Sequence, residues 1–296
     1  MLARASLFWA AWIPRRPGLA CGRDMHERIS IHPVCFADLS FRSVIGNWQI
    51  LGAARVGLIS SYLRDEGLSA VQAAVEGGGF KVETINHVFL PHGQYWERNE
   101  DSWREPRERL GRLIEEAKAL NARSIYMLTG GHGSLTWEES AECFAAAIAP
   151  CVAQAKAAGV HLLVENASPL YADIHLAHNL RDAVTLAELS GIGVCMDFFA
   201  CWTEAGLRDC IIRAMPRCHL VQVCDYVYGD RSLPSRAVPG DGAIPVKRLI
   251  GWLLEAGYTG AFDLEMPGPR IDREGNLAAV RRAADNVGAI LESLGA

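Results

Sequence analysis

Four oxygen-bearing side chains close short apolar runs in the second half of the chain. They are Glu165 in LLVEN, Asp197 in VCMDF, Gln222 in HLVQVCDY and Glu265 in FDLEM. Gln222 is the least expected, because it sits among Leu220, Val221, Val223 and Cys224, and an amide buried in such a run must find partners or it costs free energy. Three carboxylates and an amide brought together would repel one another without a cation. An oxygen donor set of this kind suits Mg²⁺ or Mn²⁺, whereas a zinc site would show more histidine or cysteine. Taken singly, a glutamate near a strand end can equally anchor a loop, and a buried glutamine can tie down backbone. Four such residues in successive runs, at matching depth, point to a metal site.

The elements that would position them follow from the alternation that begins at Met25. Short β-branched runs (RISIHPVCF, RVGLISSYL, KVETINHVFL, RSIYMLTGG, VHLLVENAS, GIGVCMDFF, HLVQVCDYV and GAFDLEMPG) alternate with helical stretches such as WREPRERLGRLIEEAKALNA. Glycines at 159, 191 and 257 punctuate helix ends. Eight strands and eight helices in one series imply a single α/β domain, a (β/α)8 TIM barrel, and such barrels carry their chemistry at the C-terminal ends of the strands. Strand alternation puts Glu165 on the face of Leu163, Asp197 on that of Cys195, and Gln222 on that of Leu220. Four neighbouring strands could then point one oxygen-bearing side chain each into the barrel mouth. Residues 25–296 form the barrel domain. Residues 1–24 read as a flexible tail or a start assigned too early, with Met25 as the natural beginning.

Composition narrows the partners. A net charge of −5 over 296 residues argues against a general nucleic-acid or anionic-membrane surface. No run offers the ~18 apolar residues of a membrane-spanning helix. The nine cysteines are scattered, form no C-x-x-C pair and resemble small buried hydrophobes, which suits a reducing cytoplasm. The expected partner is a small-molecule substrate, with a homo-oligomer possible.

Glu, Asp, a strand-seven ligand and Glu on strands five to eight resemble the xylose-isomerase-like TIM barrels, the sugar phosphate isomerase/epimerase superfamily. The resemblance runs from about Ile29 to the C-terminus, through LLVEN, CMDFF, the strand-seven Q-x-x-D, VPGDGAIP and GYTGAFDLEMPGP. Many members carry histidine at the strand-seven position. Glutamine there, and the segment NHVFLPHGQYWERNEDSW after strand three, resemble the hydroxypyruvate-isomerase-like branch. By this resemblance the metal ligands are Glu165, Asp197, Gln222 and Glu265.

The implied reaction is isomerisation or epimerisation of a hydroxy-carbonyl compound, a sugar or sugar-like acid, through a metal-stabilised enediolate. Glu165 and Glu265 would exchange the proton as an acid/base pair. Arg236, three residues before Pro239-Gly240-Asp241-Gly242, stands where related epimerases place a substrate-binding arginine; it could equally pair with Asp230 or Asp241. Asn166 and Asp225 follow ligand-bearing strand ends and are expected to brace them. Asn166, His87, His132 and Trp202 are the further candidates for substrate contact. Ala200 departs from the family, since many epimerases have histidine three residues after the strand-six aspartate. Aromatic residues (Trp48, Phe198, Phe199, Trp202, Tyr226, Tyr228) crowd segments near the mouth, and two or more in the pocket would imply a bulkier or less polar substrate than a free tetrose or hexose. Two other outcomes fit the same residues: a metal-dependent dehydratase or C-glycoside-cleaving lyase, and a barrel that binds a ligand without turning it over. The superfamily's DNA-cleaving, trinuclear-zinc branch does not fit, for want of strand-end histidines and a basic groove.

Overall fold

The structure is a computed structural model that describes residues 24–296; the question of a tail or misplaced start lies outside the described residues. Each of the eight β-branched runs contributes one strand: β1 Ile29–Ile31, β2 Arg55–Ile59, β3 Lys81–Val88, β4 Ser124–Leu128, β5 His161–Glu165, β6 Gly193–Asp197, β7 Cys218–Val223 and β8 Phe262–Leu264. All pair in parallel with their sequence neighbours, and β8 pairs with β1 to close the barrel. Closure removes every sheet edge and buries the strands on both faces.

Eleven α-helices lie among the described residues, three more than the sequence suggests. The segment after β2 divides into Ser60–Glu66 and Leu68–Gly78 at Gly67. Short helices Phe198–Cys201 and Pro269–Glu274 precede the main helices of units six and eight. The long helix Trp137–Ala158 opens with a reciprocal Thr136–Glu139 cap and ends at Gly159 in the left-handed region, the stop that glycine permits.

The strand register explains how the site is levelled. Asp197 on β6 pairs with Gln222 on β7, Gln222 with Asp263 on β8, and Asp263 with Ser30 on β1. Leu163, Cys195 and Leu220 pack with Tyr126 as a separate cluster inside the barrel, all at most 1% exposed. Because side chains alternate along a strand, Glu165, Asp197 and Gln222 stand on the same interior face, two residues further towards the C-terminal rim. That apolar cluster is a dry floor under the carboxylates.

The loop after β7 is anchored by one side chain. Asp225 Oδ1 accepts hydrogen bonds from the backbone N–H groups of Tyr226 (2.8 Å) and Ile244 (2.9 Å), and Oδ2 accepts from those of Gly240 and Gly242 (both 2.9 Å). Asp225 and Ala237 also exchange backbone hydrogen bonds, closing the excursion between them. At Gly242 a Cβ would fall 2.3 Å from the Tyr226 carbonyl oxygen and 2.4 Å from Asp225 Oδ1, so no larger residue fits. The PGDG turn is therefore scaffold, wrapped on a carboxylate. Asp225→Ala strips four N–H groups of their acceptor and should cost at least ~3 kcal/mol, with Asp225→Asn intermediate. Urea unfolding of the two variants beside the wild type measures this, and equal stabilities would refute the anchoring role.

Candidate active site

The interior rim of strands five to eight brings together what the sequence singles out. Glu165, Asp197 and Glu265 each offer a carboxylate oxygen within 4.8 Å of one another, and all three are buried. Gln222 is fully buried on β7, and neither its Oε1 nor its Nε2 has a hydrogen-bond partner. An amide held in that state is costly, and its register next to Asp197 puts it at the edge of the carboxylate cluster.

Arg236 enters the cluster itself. Its Nη1 donates to both oxygens of Asp197 (2.9 Å each) and lies 3.3 Å from Cys224 Sγ, while Nη2 approaches Glu265 Oε2 at 3.3 Å. That last contact lacks hydrogen-bond alignment, so Glu265 Oε2 receives no hydrogen bond. The guanidinium lies 4.1 Å from the ring centre of Phe199. The pairings with Asp230 or Asp241 that the sequence left open are not made. Asp230 faces Arg270, and Asp241 pairs with Arg282.

One fixed positive charge thus faces three carboxyl groups in a dry pocket. Burial pushes Glu165 well above the ordinary carboxylate range, and the charges of Glu265 and Asp197 add to it. Burial also raises Asp197, although Arg236 opposes this. Glu265 is raised from 4.5 to about 7 by burial, again against Arg236. Arg236 itself is held well above its usual value, because Asp197 and Glu265 outweigh the burial that opposes its charge. Desolvation dominates for all three acids. Asp263, level with Gln222, is fully buried and raised by burial as well, with no hydrogen-bond partner on either oxygen.

The neighbouring groups brace the cluster. Asn166 spans from β5 to β6: its Nδ2 donates to the Asp197 carbonyl and its Oδ1 accepts from the Asp197 N–H (2.9 Å each). Both ends of the amide are thereby engaged, so Asn166 braces the C-terminal ends of β5 and β6. His175 does similar work from the β5 loop, with Nε2 2.8 Å from the Glu165 carbonyl and Nδ1 accepting from the Thr129 N–H. Burial pushes His175 down to about 3, so it stays neutral. The sequence drew no attention to it.

Two of the other candidates lie elsewhere. His87 belongs to β3, and its neighbour Asn86 pairs in register with the inward-facing Tyr126. His87 consequently points outward, with Nδ1 3.2 Å from Ser60 Oγ and the charge of Arg109 acting on it. It does not reach the cluster. His132 is exposed on the β4 loop, with Nδ1 close to the Gly133 carbonyl. Trp202 is half-buried after β6 and contacts the rings of Tyr226 and Tyr228. Of the aromatic residues the sequence groups near the mouth, Trp48 and Phe198 are fully buried core, and Trp48, packed on Phe80 just before β3, lies at the opposite end of the barrel. Tyr171, on the β5 loop, escaped the sequence reading, yet its phenol feels the charges of Arg236, Glu265, Glu165 and Asp197. A groove of about 1280 Å³, lined by Ile50, Asp272 and Arg281, contains none of the four rim residues.

Residues 47–287 match the sequence model of the family described as xylose isomerase-like TIM barrel. No match is found among curated proteins. Many solved structures share the fold, three of them as follows. The IOLI protein with a bound zinc atom is 14% identical at a TM-score of 0.75, over 90% of this chain and 98% of that one. D-psicose 3-epimerase from Clostridium cellulolyticum H10, solved with D-tagatose, is 16% identical at 0.70, over 90% and 98%. The probable 3-DHS dehydratase AsbF from Bacillus anthracis is 12% identical at 0.66, over 88% and 98%.

A carboxyl group raised on folding binds more protons folded than unfolded across the interval between its two values. The stability Glu265 contributes is full below about 4.5 and is lost as the pH rises through about 7. Cation-free protein should therefore lose thermal stability from pH 5 to pH 8, and Glu265→Gln should flatten that slope. A melting temperature independent of pH over this interval would contradict the assignment.

Proposed function

Because the chain belongs to the xylose isomerase-like TIM barrel family, we propose that it is a divalent-metal-dependent isomerase or epimerase of a hydroxy-carbonyl compound, a sugar or sugar-like acid. The observation that carries this reading is the charge imbalance at the rim, where three buried carboxyls face one guanidinium beside an unpartnered amide. The donors fit a hard divalent cation. Glu165, Asp197, Gln222 through Oε1 and Glu265 would hold it, and an all-oxygen set favours Mg²⁺ or Mn²⁺. When bound, the cation would polarise the carbonyl oxygen and acidify the adjacent C–H.

The chain's own residues supply the proton movement. Glu165 and Glu265 stand at the ends of strands separated by β6 and β7; burial raises both, Glu265 to about 7, so each can hold a proton that an ordinary carboxylate would have lost. One removes the proton from the carbon next to the carbonyl. The other returns a proton to the opposite face of that carbon in epimerisation; in isomerisation the first returns it to the former carbonyl carbon, and the hydroxyl proton passes to the former carbonyl oxygen. Glu265 Oε2, free of hydrogen bonds, is the atom with a lone pair available. Arg236 holds Asp197 and Glu265 in place. The dry floor of Tyr126, Leu163, Cys195 and Leu220 excludes bulk water from beneath.

A second reading shares the first step. Once the C–H proton is removed, expulsion of a β-substituent would give a dehydratase or lyase, and the similar fold of a probable 3-DHS dehydratase supports keeping it. Product mass equal to substrate mass separates the first reading from the second.

The test combines metal analysis with exchange in D₂O over a panel of hydroxy-carbonyl compounds. Wild type should bind one Mg²⁺ or Mn²⁺ and wash solvent deuterium into one C–H position. Glu165→Gln and Glu265→Gln should each lose about 10²–10⁴-fold in that exchange. If both retain it, neither carboxyl is the acid or base. Gln222→Leu should remain folded and lose the metal, whereas Gln222→His should keep it, as read by calorimetric titration with Mn²⁺. Undiminished binding in the leucine variant would remove Gln222 from the ligand set.

A further inference from the structure

Ring contacts run without a break from the carboxylate cluster to the outer rim of the barrel. The Arg236 guanidinium lies 4.1 Å from the centre of Phe199, and Phe199 meets Tyr226 edge-on at 5.8 Å. Tyr226 lies 6.3 Å from Trp202 and 6.4 Å from Tyr228, and Trp202 lies 6.0 Å from Tyr228. Packing of this sort is ordinary inside a core, but here it ends in water, with Tyr228 74% exposed. Leu233 on the same loop, Leu170 on the β5 loop and Tyr95 on the β3 loop are exposed as well, so the rim carries apolar surface on three sides. Ile50, Leu189 and Ile212 are exposed on helices elsewhere, but among the described residues only at the rim does the exposed apolar surface continue inward as contacting rings to a functional site, which marks a place where something docks.

The ladder is built to stay in place. The Tyr226 hydroxyl donates to the Asp230 carbonyl (2.7 Å) and accepts from Arg231 Nη1 (2.8 Å), so its polar end is consumed by the loop and its ring is left to its neighbours. Arg231 also sets the sign of the occupant. A guanidinium on the rim repels a cationic ring or ammonium group and tolerates a neutral or anionic one. Tilted and edge-on rings offer faces and edges to a planar guest.

We infer that the substrate carries a neutral or anionic planar aromatic group, joined to the hydroxy-carbonyl portion that the carboxylate cluster takes, and that Trp202, Tyr226 and Tyr228 receive it. This rests on the reading of the rim as a hydroxy-carbonyl site and narrows its substrate class. Phe199 links the two halves, touching the guanidinium on one side and the ladder on the other.

The probes are 1-hydroxy-3-phenylpropan-2-one and 1-hydroxybutan-2-one, which share a hydroxy-carbonyl portion and differ by a phenyl ring in place of a methyl group. Binding to the full chain is followed by calorimetry and by the intrinsic tryptophan fluorescence that Trp202 would report. The phenyl compound should bind at least tenfold more tightly than the methyl compound. Tyr228→Ala, a change at an exposed position, should bring that ratio to within threefold of one, and Trp202→Leu should remove the fluorescence response. Equal binding of the two compounds, or binding of neither, overturns the inference. So does sedimentation showing that Tyr228→Ala splits a dimer while no phenyl preference exists, since the ladder would then be a contact between copies. Because the ratio is read without turnover, it is separable from the isomerase reading. A phenyl preference with no deuterium exchange in any compound sinks that reading alone, and exchange with no phenyl preference sinks only the inference.

Discussion

The interaction on which the rest depends is the pairing of Arg236 with Asp197 and Glu265 under conditions where it cannot balance the charge. A guanidinium is a strong partner for a buried carboxylate, and that of Arg236 donates to both oxygens of Asp197 through Nη1 alone. Here it serves one carboxylate fully, a second in part and Glu165 not at all. Taking an ion out of water costs several kcal/mol even after relaxation, which is why burial outweighs every other influence on each acid. The pocket can meet that cost by keeping protons or by accepting a cation. Either outcome would serve the proton transfer proposed for this rim, and both follow from the same deficit.

The barrel converts this local conflict into something stable. Closure of eight parallel strands fixes the depth of each rim residue through the register, without any need for the rim residues to attract one another. The apolar cluster below supplies the low dielectric, and the main core, wrapped between strands and helices, supplies the stability spent on the rim. Asn166 and His175 then fix the backbone at the ends of β5 and β6, so the carboxylates are aimed by neutral groups that add no further charge.

Much of this was legible in the sequence, for identifiable reasons. The strands announce themselves because a parallel barrel strand is apolar on both faces and is bounded by glycine and polar turns. The positions of Glu165, Asp197 and Gln222 follow from counting two residues beyond Leu163, Cys195 and Leu220. The same property hides other things. In KVETINHV both faces are mixed, so alternation alone does not say whether Asn86 or His87 looks inward, and the histidine drew attention that belongs to its neighbour's face. The partner of Arg236 is 39 residues away, reached only because the β7 loop folds back over the rim; no local pattern encodes that distance. Tyr171 sits on a short turn without periodicity, where sequence has little to count. The three additional helices arise where Gly67, Asp197 and Gly275 interrupt longer helical stretches or start short ones, details that composition blurs.

The Asp225–Ala237 bridge has a consequence for how such a barrel can change. Between these residues the chain leaves β7 and returns beside it, pinned at its root by one carboxylate and four backbone amides. Within that excursion lie Tyr226, Tyr228, Arg231 and Arg236. The segment is a cassette: its root is specified by the barrel, while its tip rests on the neighbouring segments through Trp202 and Arg270. Lengthening or rewriting the part from Val227 to Ser235 would reshape the mouth without disturbing the strand register that sets the depth of the acids. Among the described residues, only Arg236, next to the root, ties this segment to the acids, so the shape of the mouth can vary apart from the strand register.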